Sequence, residues 1–264
     1  MLKTIKSNLI MKAIFKNIHN KIKLKIIKYS KYMLRRLDIK KENFKSYEIL
    51  KEFNEKLKLN IIDIDIKELY LKYKNVGTKE LEILKNVNFK ELQKLNLSGN
   101  KISDIKVLEN VNFKELQTLQ LSDNKISDIK VLENVNFKEL KELYLSYNEI
   151  SDIKVLEKVN FKKLKKLYLS FNQISDINIL EKVNFKELKE LDLSSNKISD
   201  ISILKKVNFN ELKVLYLNNN KISDINIFEK VKFEKLEELH LGMNKIDLMQ
   251  NNSIITKMKS ILKI

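Results

Sequence analysis

Leu92-Gln93-Lys94-Leu95-Asn96-Leu97-Ser98-Gly99-Asn100-Lys101-Ile102 decides the fold, because it is repeated. Its frame, Leu-x-x-Leu-x-Leu-x-x-Asn-x-Ile, occurs seven times, with asparagines at Asn100, Asn124, Asn148, Asn172, Asn196, Asn220 and Asn244. Every step is 24 residues. A fixed period in this range marks a solenoid, in which one unit cannot bury its apolar face alone and must stack on its neighbours.

The frame has a direct physical reading. Leu95 and Leu97 alternate with period 2 and point to one face of a short strand, while Lys94, Asn96 and Ser98 point to the other. One strand per unit, always in the same direction, predicts a parallel sheet. The chain must then turn, and the asparagine amide there offers donors and an acceptor to backbone groups the turn leaves unpaired. Stacked copies predict an internal asparagine ladder. Ile102, Ile105, Leu108 and Val111 follow at spacing 3, which suits 3₁₀ or loose helix on the return side. Ser103-Asp104 and its five later copies are candidate caps for it. Phe89, Phe113, Phe137, Phe161, Phe185, Phe209 and Phe233 form a second apolar spine.

These residues resemble the leucine-rich repeats. The continuation Asn-x-Ile-x-Asp-Ile-x-x-Leu, from Asn100 to Leu108, is similar to the repeats of intracellular phosphatase regulators and bacterial internalins. The resemblance implies an α/β solenoid: an arc with a parallel concave sheet, a short 3₁₀/helical convex side and helical caps at both ends. It also implies a protein-binding scaffold that recognises its partner on the concave face. Two extra residues per repeat around Asn112-Phe113 set this chain apart, so the convex side and the curvature do not carry over.

Composition narrows the class. The chain has no Cys, which excludes disulfides and thiolate metal sites and suits a reducing compartment, so an intracellular, cytoplasmic setting is expected. His19 and His240 stand far apart in the repeat register. No apolar run approaches the roughly 20 residues needed to span a bilayer. The net charge of +17 suggests nucleic acid until it is divided. Residues 1–60 hold 17 basic against 5 acidic side chains, whereas residues 61–264 hold 35 against 30. The excess is N-terminal, and no nucleic-acid partner is expected.

Residues 1–60 read as a basic helical segment. Two short amphipathic helices are predicted before residue 38, and a third over about 43–58, where Phe44, Tyr47, Leu50, Phe53 and Leu57 share a face. The plain reading is a cap over the open end of the array. Ile10 to Leu37, with Ile14-Phe15, Ile18, Leu24 and Ile27, also resembles a degenerate F-box, although the expected Pro near its start is missing. That resemblance implies a ubiquitin-ligase adaptor docked on residues 8–37 and makes a substrate receptor the alternative function. A basic helix lying on an anionic membrane is a further, less favoured reading. Residues 61–250 contain one imperfect unit, built on Ile66-x-x-Leu69-x-Leu71, and seven regular ones. Residues 251–264 are predicted to be a closing helix capped by Asn252 or Ser253.

No catalytic constellation is present, and no cofactor or metal is expected. The Ser-Asp pairs recur as caps, not as parts of a triad. Candidate binding residues therefore lie on the solvent face of the sheet. Between the paired strand leucines stand Tyr70, Asn96, Gln120, Tyr144, Tyr168, Asp192, Tyr216 and His240, and one step before each asparagine stand Gly99, Asp123, Tyr147, Phe171, Ser195, Asn219 and Met243. Tyr144, Tyr147, Tyr168 and Phe171 fall on adjacent strands and form the expected hot spot for a partner protein, flanked by Asp192, Tyr216 and His240. A monomer is expected.

Overall fold

A computed structural model describes residues 41–59, 61, 65–231 and 233–263. The expected basic helices before residue 38, the F-box-like stretch with its adaptor dock, the membrane-lying helix and His19 lie outside the described residues. The described residues form one open, parallel, nine-stranded sheet whose strands follow sequence order. They are β1 (Glu68–Tyr70), β2 (Lys94–Asn96), β3 (Thr118–Gln120), β4 (Glu142–Tyr144), β5 (Lys166–Tyr168), β6 (Glu190–Asp192), β7 (Val214–Tyr216), β8 (Glu238–His240) and β9 (Leu262–Lys263). The central leucines pair in register from Leu69 through Leu95 and Leu119 to Leu239, so each unit lies directly on the last. Between strands, 3₁₀ turns such as Lys106–Asn110 and Lys154–Glu157 carry the chain back on the convex side.

Aspartate, not serine, closes those turns. The Asp104 carboxylate accepts the Lys106 N–H at 2.7 Å, and Asp128, Asp152, Asp176, Asp200 and Asp224 repeat the contact two residues on. Inside, Leu, Ile and Phe fill one continuous core, with Phe89 to Phe209 almost fully buried and Phe233 only partly so in the last full unit.

Each asparagine joins two units. Asn148 Nδ2 donates to the carbonyls of Leu145 and Ser146 in its own unit, at 3.0 and 3.3 Å, and to Leu121 in the unit before, at 3.1 Å. Its Oδ1 accepts the Ile126 N–H at 3.0 Å. The amide thereby satisfies donors and acceptors that the turn removes from the strand ladder. The pattern runs from Asn100, which reaches Leu71 and Val76, to Asn244, which reaches Leu217 and Ile222. No buried side-chain polar atom among the described residues lacks a partner.

Both ends depart from the repeat for local reasons. Helix α1 (Lys41–Leu57) buries Leu50, Phe53 and Leu57 against the first unit, and the Phe53 ring meets Phe89 edge-on at 5.4 Å. The first unit is two residues longer, and the extra length lies on the convex side. There a turn of α-helix, α2 (Thr78–Leu81), precedes the 3₁₀ segment Glu82–Asn86, and Glu80 accepts the Gly77 N–H at 2.9 Å. The C-terminal stretch is not helical throughout. Helix α3 (Asn252–Lys257) begins after Asn251, whose amide donates to the Asp247 carbonyl at 2.7 Å, and neither Asn252 nor Ser253 is the cap. The chain then returns as β9, because the outer edge of β8 still needs backbone acceptors: Leu239 and Leu241 N–H donate to Ile261 and Lys263, each at 2.8 Å.

Replacing Asn148 with Leu leaves three carbonyls and one N–H without the amide. The array is expected to lose about 1–3 kcal/mol for each buried group left unpaired. Replacing the exposed Lys138 with Ala should cost less than about 0.5 kcal/mol. Urea melts of the two variants compare them directly, and equal midpoints would remove the ladder from the account of stability.

Candidate functional site

The sheet displays its side chains in columns, because identical strands stacked in register place equivalent positions side by side at about 4.8 Å. Register alone pairs Tyr144 with Tyr168, Tyr168 with Asp192, and Tyr216 with His240. The rings use that pairing. Tyr144 and Tyr168 stack with centroids 4.9 Å apart and planes 9° apart. Tyr147 and Phe171 stack more closely, at 4.1 Å and 9°. Tyr216 and His240 form a third pair at 4.4 Å. Asp192 interrupts the column between the first and third pairs, and its carboxylate turns to Ser194, accepting the backbone N–H at 2.9 Å and the hydroxyl at 2.6 Å. The four central aromatics are thus brought together as two parallel stacks, with Tyr216 and His240 beyond Asp192. Asn96 is different: it is buried, and its carbonyl accepts the Ser98 N–H at 3.0 Å.

The two central stacks differ in exposure. Tyr144 and Tyr168 are half-buried, whereas Tyr147 and Phe171 remain 54% and 44% exposed. Backbone geometry explains the difference. Tyr147 has φ 55° and Phe171 φ 53°, in the left-handed region, as do Asp123, Ser195, Asn219, Met243 and Gly99 at the same point of their units. This conformation turns the chain while keeping its hydrogen bonds in the ladder: Tyr147 N–H donates to Ser170 at 2.9 Å, and its carbonyl accepts from Asn124 at 3.1 Å. The column is therefore constrained in backbone. Glycine suits it, and small polar residues tolerate it, but a bulky side chain there costs on the order of 1–3 kcal/mol. At Gly99 the space a side chain would need is taken by the Tyr73 ring, 2.0 Å from the position of a Cβ.

Polar neighbours fix the half-buried pair. The Tyr144 hydroxyl donates to Glu142 at 3.2 Å; burial, reinforced by that carboxylate, pushes its pKa up to about 12. Tyr168 donates to Glu190, and burial together with that bond raises its pKa too. For Glu190 burial alone would raise the pKa, but the bonds from Lys166, at 2.8 Å, and from Tyr168 outweigh it and hold the carboxyl below its usual range. Burial also raises Tyr216, aided by Glu238, which contacts His240 Nε2 at 2.9 Å.

Two further columns belong to this face and were not among the sequence candidates. Glu142, Lys166, Glu190 and Glu238 precede the central leucines inside the strands themselves. Lys141, Lys165, Lys189 and Lys213 come one residue earlier and are already in the ladder, since Lys141 and Glu142 N–H both donate to Gln117 at 2.8 and 3.0 Å. The alternation that puts Lys94 on the solvent face held the signal for the first of these columns. Among the described residues no group of three or more His, Cys, Asp or Glu is placed to hold a metal ion, and no helix is long and apolar enough to cross a membrane.

A family model for paired leucine-rich repeats matches residues 114–158, 162–206 and 210–256, more than half of the chain, and a single leucine-rich repeat matches residues 91–105. Among solved structures the chain is similar to internalin C2 from Listeria monocytogenes, with 24% identity, a TM-score of 0.58, and coverage of 75% of this chain and 84% of that one. It is also similar to the crystal structure of PEPR1-AtPEP1, with 21% identity and a TM-score of 0.51 over 69% of this chain and 26% of that one. At these identities the likeness is one of fold. No curated protein matches by sequence.

Two measurements test the site geometry. Phe171→Gly and Phe171→Ala remove the same ring and differ mainly in tolerance of positive φ, so the Gly variant should be the more stable by about 1 kcal/mol in thermal melts. An Ala variant that melts at or above the Gly variant would contradict the left-handed turn. The second concerns alkaline pH. Tyr144 has a folded pKa of about 12 against an ordinary 10.0, so its contribution to stability is intact below pH 10.0 and is lost as pH rises through about 12. Tyr144→Phe should remove part of the decline across that window, and unchanged alkaline melts would show that the hydroxyl is not held as described.

Proposed function

The chain belongs to the leucine-rich repeat proteins, and from that premise we propose that it is a non-catalytic scaffold holding a partner protein on the concave face of its sheet. Leucine-rich repeat folds are typical protein-interaction scaffolds, generally without catalysis. The observation that carries the concave-face reading is the Tyr147–Phe171 stack. Two bulky rings remain substantially exposed at positions where the backbone favours glycine. Folding gains little from such a placement, and strain retained against local preference points to a surface role. The rings are held by two strands and by each other, so little rotamer freedom remains to be lost on binding. Tyr144 and Tyr168 continue the apolar area inward, and Asp192, Tyr216 and His240 supply a polar flank. This is the composition of an interface centre with its rim.

The test is site-specific photo-crosslinking in the full-length protein. A crosslinker at Ser195, beside Phe171 on the concave side, should capture a partner, and one at Lys154 on the convex side should not. Tyr168→Ala with Phe171→Ala should abolish the Ser195 adduct while leaving circular dichroism unchanged. Adducts from Lys154 alone, or Ser195 adducts indifferent to loss of the aromatics, would place the interface elsewhere.

A further inference from the structure

Resting on that concave-face reading, we propose that the segment the sheet receives is an extended acidic peptide carrying one large apolar side chain. The argument starts at the edge of the sheet where the strands begin. Lys141, Lys165, Lys189 and Lys213 occupy one column on four successive strands, neighbours about 4.8 Å apart. Like charges at that spacing repel unless counter-charges sit between them. At the outer end Lys213 has Glu237 at 2.5 Å, but inward the compensation fades. Lys165 reaches Glu187 only at 3.9 Å, Lys141 bonds the neutral Gln117 amide at 2.9 Å, and the Lys189 ammonium, which makes no side-chain hydrogen bond or ion pair among the described residues, has only the longer-range attraction of Glu211.

The carboxylates inside the strands are committed elsewhere. Glu142 accepts from Tyr144, Glu190 from Lys166 and Tyr168, and Asp192 from Ser194. One edge of the face therefore offers a column of ammonium groups in which Lys141 has only a neutral acceptor and Lys189 no side-chain bond, and the opposite edge offers the exposed Tyr147–Phe171 shelf. Tyr147 lies six positions after Lys141, less than about 20 Å of chain. An extended peptide spans that distance with about five or six residues. Acidic side chains near one end and an aromatic or large aliphatic residue near the other would meet both features together.

A nucleic acid suits this face less well. It carries a phosphate at every step, and a strand crossing from lysines to aromatics would lie over Glu142, Glu190 and Asp192. The central rings are already stacked on each other, which leaves no gap between them for a base. A peptide can confine its charge to one end.

The test uses the full chain and labelled synthetic peptides of equal length, read by fluorescence anisotropy. One carries a Glu cluster about five residues from a Trp, one replaces Glu with Lys, one replaces Trp with Ser, and an oligothymidylate serves as the nucleic-acid probe. The Glu/Trp peptide should bind at least about tenfold more tightly than each of the others. Lys141→Glu with Lys189→Glu should weaken it about tenfold or more and reduce the salt dependence of its association rate. Tight binding of the Lys/Trp peptide or of the oligothymidylate, indifference to the lysine reversals, or no binding by the Glu/Trp peptide would each overturn the proposal. The two readings fail differently. A Lys/Trp peptide that binds best and is lost with Tyr147→Ala and Phe171→Ala removes the acidic partner and keeps the concave face. Peptides that bind regardless of those aromatics remove both.

Discussion

Every rung of this solenoid hangs on one primary amide. An asparagine at the turn bonds carbonyls of its own unit, a carbonyl of the unit before and an N–H of that earlier unit, so it measures the distance between neighbours as well as closing the turn. A shorter acceptor or a one-residue slip would leave backbone groups unpaired in a dry interior, where each costs about 1–3 kcal/mol. The strict step of 24 residues follows from that demand. Where the demand is absent the step relaxes. Among the described residues no earlier strand precedes the first unit in the sheet, Lys74 stands at its asparagine position, and its two additional residues are absorbed by α2 on the convex side.

The same turn joins the fold to the surface that it displays. To bring the asparagine inward without leaving the ladder, the preceding residue takes a left-handed conformation, and its side chain is thrown out at the rim of the sheet. Gly99, Asp123, Ser195 and Asn219 meet this constraint with residue types that tolerate it. Tyr147, Phe171 and Met243 do not. Stability and display thus compete at one position per unit, and the central units resolve the competition towards display.

The fold was legible because its signals are periodic and mutually consistent. Leu-x-Leu gives the strand face, the asparagine gives the turn, and the Ile and Leu residues after it give the 3₁₀ return. What escaped reading depends on a neighbour and not on a pattern. Nothing in Ile261-Leu262-Lys263 announces a strand; β9 forms because the edge of β8 offers unpaired backbone groups. Left-handed backbone at Tyr147 and Phe171 contradicts the preference of those residues, and Gly99, the one copy that advertises it, is outnumbered. At the binding face, alternation located the aromatic columns. It did not foretell that the four rings divide into two stacks of unequal exposure, or that Asp192 would turn to Ser194.

Charge completes the contrast between the two sides. In an in-register array any charged position becomes a line of charge, and such lines are tolerable when a line of opposite sign runs beside them. On the convex side this is what the repeats provide: Lys158 faces Glu133, Lys182 faces Glu157 and Lys206 faces Glu181, at 3.2, 3.8 and 3.3 Å. Each exposed pair contributes only about 0–1 kcal/mol, so their value lies more in cancelling repulsion than in adding stability. The lysine column of the concave face is matched less closely: Lys165 lies 3.9 Å from Glu187, Lys189 has only the longer-range attraction of Glu211, and Lys141 bonds a neutral amide. That looser pairing, along the edge opposite two exposed rings, sets this surface apart from the convex side.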